Sequence, residues 1–86
     1  MGYRLIKYEG KSGENKLDNI AAIHSLEGCF YCPMMVGGVI VFLYNDDSGK
    51  MLRSSTIEEI VRIKNQIKVV TRNSVFVFEE LEVCDE

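Results

Sequence analysis

The sequence offers little to a catalytic or an exported protein. Its single histidine, His24, is accompanied by no nucleophile elbow or other motif that would bring it a nucleophile and an orienting acid, so no enzyme activity is expected. The three cysteines are an odd number, which suits reduced thiols better than a closed disulfide framework. The N-terminal stretch Met-Gly-Tyr-Arg-Leu-Ile-Lys lacks the apolar core of a signal peptide, and Asn15-Lys16-Leu17 is not a glycosylation sequon. The longest apolar run, Cys29 to Tyr44, is broken by Pro33, Gly37 and Gly38 and falls short of the ~20 residues of a membrane-spanning helix. Neither an internal repeat nor a low-complexity segment is present. Together these absences predict a cytoplasmic protein with no membrane association and no cofactor.

What the chain does have is apolar content. At 86 residues and 47% hydrophobic it is too apolar for disorder and too short for a second domain, so residues 1–86 are read as one domain. A domain of this size buries only roughly 60–65% of its unfolded surface, which makes oligomerisation useful, and a homo-oligomer is expected. The net charge of −3 conceals a segregation. Residues 50–72 carry Lys50, Arg53, Arg62, Lys64, Lys68 and Arg72 against Glu58 and Glu59, whereas the stretch from Glu79 to Glu86 holds five acids and no base and is read as a frayed acidic terminus. An acidic protein opposes the counterion-release term of duplex binding, so no duplex nucleic acid is expected as partner.

Periodicity favours β structure. Residues 2–8 alternate as a short edge strand, with Tyr3, Leu5 and Lys7 facing one way and Arg4, Ile6 and Tyr8 the other. The polar stretch Glu9 to Lys16 reads as a loop, and residues 17–26 fit either a short helix or a twisted strand. Val39 to Tyr44 is a run of β-branched and aromatic residues ending at the turn chemistry Asn45-Asp-Asp-Ser-Gly, and Lys50 to Ser55 follows as its hairpin partner. Residues 56–64 have capping-box spacing but read better as a strand with Ile57, Val61 and Ile63 on one face and Glu58, Ile60, Arg62 and Lys64 on the other. After a turn at Asn65-Gln66, residues 67–71 and 75–78 form a second hairpin around Arg72-Asn73. The expectation is a mainly β domain, a meander of about five antiparallel strands closing into a small barrel.

The segments Leu52-Arg53-Ser54-Ser55-Thr56-Ile57 and Val69-Val70-Thr71-Arg72-Asn73-Ser74-Val75-Phe76 resemble a recurrent arrangement, Leu-x-Thr/Ser-Ser-x-Val/Ile followed by Val-x-Thr-x-Asn-Ser-x-Tyr/Phe. That arrangement is found in small uncharacterised proteins of phages and mobile elements of Firmicutes. The likeness spans Gly38 to Leu81, about half of the chain, with Ser54 where Thr is common and Phe76 where Tyr is common. It implies a small SH3-like or related β-barrel and a phage-associated setting, in which case the host cytoplasm is the site of action. It implies no defined activity.

Two candidate sites follow from the residues. Arg53, Ser54, Arg72, Asn73 and Ser74 lie on two β segments expected to be neighbours, and two guanidinium forks near hydroxyl and amide groups suit a phosphate or small nucleotide. The same polar residues also suit an ordinary hairpin bend, where Asn73 tolerates positive φ. Cys29 and Cys32 have zinc-knuckle spacing, and with His24 and Cys84 would make a Cys₃His set, but no second pair completes the pattern. Gly37-Gly38 precedes a strand instead of a helix, so it reads as a bend and not a phosphate loop. Met34-Met35-Val36 with Phe30 and Tyr31 is expected to pack into the core, the other reading being an exposed patch used in assembly. The functional expectation is a non-enzymatic binding protein, a phage or mobile-element accessory factor that sequesters or blocks a partner. That partner is a small anionic ligand, such as a nucleotide signal of host defence, or a host protein met by the acidic tail and the loop from Phe30 to Met35. The alternative is a small zinc-stabilised interaction domain built on Cys29 and Cys32.

Overall fold

A computed structural model describes residues 2–81. The element order is β1 (Tyr3–Gly10), α1 (Leu17–Ala21), β2 (Glu27–Phe30), β3 (Val39–Tyr44), β4 (Met51–Ile63), β5 (Gln66–Thr71) and β6 (Ser74–Glu80). Every neighbouring pair is antiparallel, and the pairing of β1 with β6 closes the meander into a barrel. The expected small β-barrel is thus formed, with six strands in place of about five. Closure gives β1 a partner on each side, β2 and β6, so it is not the edge strand that its sequence suggests. Residues 17–26 open as a helix of five residues and then turn. Residues 56–64 do not form a strand of their own, because they continue residues 51–55 within a single strand of 13 residues. The first half of β4 pairs with β3 and the second half with β5, so one long strand serves both halves of the barrel. Among the described residues no helix is long and apolar enough to cross a membrane.

Aromatic rings fill the interior. Phe42, Phe76 and Phe78 are buried with Leu5, Ile40, Ile57 and Val69. Phe30 closes β2 by setting its ring 5.4 Å from Phe42 and 4.8 Å from Phe78, both edge-on, the geometry that ring quadrupoles favour. Gly28 lets β2 approach β3 closely, since a Cβ built there would lie 1.9 Å from the Leu43 carbonyl oxygen.

Three bulges break the two-residue period, each adding one residue to one strand of a pair and sending the following side chains to the opposite face. In β1 the extra residue is Ile6, because Leu5 pairs with Phe78 and Lys7 with Val77. Lys7 therefore faces outward and Tyr8 packs against the core. In the second half of β4 the extra residue is Glu58, between Ile57 opposite Thr71 and Glu59 opposite Val70. Ile57 and Ile60 then share the inner face, while Ile63 is exposed, against the alternation read from sequence. The third bulge lies where β4 passes Val39 to Val41, and there the Ser54 hydroxyl accepts the Ile40 N–H at 2.9 Å. The β4–β5 turn is Lys64-Asn65, one residue earlier than expected, with Lys64 at φ 57.

Candidate functional site

The two polar segments singled out from sequence do meet. Arg72 donates its N–H to the Thr56 carbonyl at 2.9 Å, and the Asn73 N–H reaches the Ser55 hydroxyl at 3.1 Å. Their hydroxyls, however, serve the backbone. Ser54 accepts from Ile40 and donates to the Ser55 carbonyl at 2.7 Å. Thr71, fully buried, accepts the Ser74 N–H at 3.1 Å and donates to the Ser74 carbonyl at 3.0 Å, which locks the two-residue turn. The turn holds without a left-handed residue at Asn73, since Asp47 and Lys64 are the positive-φ non-glycine positions among those described. Arg53 and Arg72 are exposed and bear no ion pair among the described residues. Neither lines any of the described concavities.

A different arginine does line one. After the Glu58 bulge, Ile60 and Arg62 border a cleft of about 240 Å³ with Tyr3, Phe30, Met34 and Ile67. Tyr3 opens β1, Phe30 closes β2 and Ile67 lies near the start of β5, so strand ends and the 31–38 loop form its walls. The Tyr3 and Phe30 rings stand 4.7 Å apart at its side. Arg62 is exposed and has no acidic partner among the described residues. The loop expected to be core is divided. Phe30 and Met34 pack onto the core, whereas Tyr31, Met35 and Val36 are exposed at 70%, 62% and 64%. Sequence alternation assigns Arg62 to the outer face. The signal against that assignment is Glu58-Glu59-Ile60-Val61, where like residues come in pairs, as an inserted residue requires.

The larger groove, about 470 Å³ around Glu27, Cys29, Leu43 and Leu81, offers less chemistry. Its charged side chain, Glu27, is engaged by Arg4 and repels anions. A third hollow contains His24, whose ring stacks on Tyr44 at 4.1 Å and whose Nδ1 lies 2.8 Å from an Asp46 carboxylate oxygen. Hydrogen bonds from Ser48 first, and then His24, hold the Asp46 carboxyl well below the usual carboxylate range. Burial pushes the Tyr44 hydroxyl up. Among the described residues the His24 ring bonds Asp46 and no hydroxyl or thiol, so the pair ties the β3–β4 loop to the segment before β2. Cys29 and Cys32 are both exposed, Cys84 lies outside the described residues, and among those described no three His, Cys, Asp or Glu side chains gather to hold a metal.

Comparison of the chain with protein-family models, curated proteins and solved structures found no match.

Proposed function

We propose that this protein is a non-enzymatic binding module that sequesters a small anionic ligand with a flat apolar body, a mononucleotide being the type case, in the cleft beside Arg62. The observation that carries this reading is an arginine, without an acidic partner among the described residues, at the rim of an apolar, aromatic-walled cleft. Ring faces and Met34 suit a planar group, and a guanidinium fork suits the oxygens of a phosphate. The volume, about 240 Å³, lies just under the roughly 300 Å³ at which drug-sized sites begin, so the occupant is a single base or ring system with its anionic group at the rim. The Arg53 and Arg72 region remains the competing anion site. It is the weaker of the two, because the Ser54, Ser55 and Thr71 hydroxyls already bond the backbone and neither arginine lines a described concavity. An accessory role in a phage or mobile element rests on the resemblance of residues 38–81 alone.

The test is native mass spectrometry of gently purified protein, followed by calorimetric titration with adenosine monophosphate. Saturable binding that falls tenfold or more in Arg62→Ala, and is unchanged in the Arg53→Ala/Arg72→Ala double variant, supports the cleft. Loss in the double variant alone moves the site to the hairpin turn. Absence of both a co-purified ligand and nucleotide binding overturns the reading. A bound mass of zinc would favour the metal-stabilised domain instead.

A further inference from the structure

We infer that the outer face of the β4–β5–β6–β1 sheet docks onto a second copy of this chain. The strand registers assign the side chains on this face to rows. One row runs Lys7, Val77, Lys68, Val61 across the four strands, as the pairings Lys7 with Val77, Val77 with Lys68 and Lys68 with Val61 specify. The next row runs Glu9, Val75, Val70, Glu59 by the same logic. The first row thus carries two cations and the second two anions, with four valines between them. All four valines are half-buried. Ile63, 63% exposed at the end of β4, extends the apolar surface, and a hollow of about 130 Å³ separates it from Val61, Lys68 and Val77.

Parallel rows of opposite sign make the face complementary to itself. A twofold axis lying in the contact plane, parallel to the rows and midway between them, lays the lysine row of one copy over the glutamate row of the other. Lys7 then faces Glu9 of the second copy, Val77 meets its Val75, and Lys68, set over its Val70, reaches diagonally to its Glu59, which lies opposite Val61. This is the isologous contact that twofold symmetry demands. Within one chain Lys7 and Glu9 are 3.8 Å apart and largely solvated, a weak pair that re-forms across the contact at little cost. Four strands about 4.8 Å apart and the two rows about 7 Å apart give a footprint of about 270 Å². That is about a third of the roughly 800 Å² per partner of a standard interface, so the dimer is weak and reversible.

The experiment is sedimentation velocity of the full chain from micromolar to millimolar concentration, at low and high salt. Dimer formation that rises with concentration and weakens with salt is expected. Lys68→Glu and Glu59→Lys should each raise the dissociation constant tenfold or more. Mixing those two variants should restore dimers, because the mixed pair again sets opposite charges face to face. A chain that stays monomeric at millimolar concentration overturns the inference, as does association that Lys68→Glu leaves unchanged or that mixing fails to rescue. None of these outcomes involves the cleft, so the two proposals stand or fall separately.

Discussion

Replacing Thr71 with valine tests how the β5–β6 turn is held. The side chain is fully buried and nearly isosteric with valine, so the change keeps the shape and removes one hydroxyl. That hydroxyl accepts the Ser74 N–H and donates to the Ser74 carbonyl, and Ser74 is itself only 5% exposed, so water does not readily replace it. Two neutral hydrogen bonds at about 1 kcal/mol each, with the added cost of a buried unsatisfied group, put the loss at about 2–3 kcal/mol. A domain of this length has about 4–13 kcal/mol in total, so the loss is a sizeable share. In a thermal melt it corresponds to a fall of roughly 10–20 °C. The Thr71→Ser variant keeps the hydroxyl and gives up one buried methyl, about 1 kcal/mol. Urea titration followed by circular dichroism measures both. If the valine variant is as stable as the serine variant, the hydroxyl is not what holds the turn.

Gly28→Ala would place its Cβ 1.9 Å from the Leu43 carbonyl oxygen, a backbone atom that moves only if β2 and β3 part. A loss of about 3 kcal/mol or more is expected, at or beyond the top of the overpacking range, and an unchanged denaturation midpoint refutes the close approach. Asp46 has its folded-state carboxyl held low, so it contributes stability above the unfolded carboxylate value and loses that contribution as pH falls below about 4. Melting temperatures from about pH 6 to about pH 2 should therefore drop less steeply for Asp46→Asn than for wild type, and parallel curves would refute the assignment.

Much of the fold is legible in the sequence because it rests on local chemistry. Val39 to Tyr44 is β-branched or aromatic at every position but Leu43 and forms β3, and the Asn-Asp-Asp-Ser-Gly that follows turns as its side chains suggest, with Asp47 and Gly49 at positive φ. The meeting of Ser55 and Thr56 with Arg72 and Asn73 also follows, because two adjacent hairpins bring their ends together. What alternation misses is every position after a bulge. Ile6 and Glu58 each add one residue to the count, so Lys7 and Tyr8, or Ile60 and Val61, exchange the faces that a strict two-residue period assigns. The division of the 30–36 loop is equally hidden, since Met34 and Met35 are the same residue type and only the tertiary path sets one against the core and the other in water.

The Glu58 bulge therefore does more than bend β4. Were Glu58 paired in a regular ladder instead of bulged, Val61 and Ile63 would continue the inner row begun by Ile57, and Ile60 and Arg62 would face outward. The cleft would then lose its guanidinium and one apolar wall, and the outer sheet would exchange its apolar end at Ile63 for a charge. With the bulge, Ile60 and Arg62 line the cleft while Glu59, Val61 and Ile63 join the rows of β5 and β6. One bulge in one strand thus sets both the chemistry of the cleft and the pattern of the outer face. That the two surfaces share a strand but not a side chain is why substitutions at Arg62 and at Lys68 can address them separately.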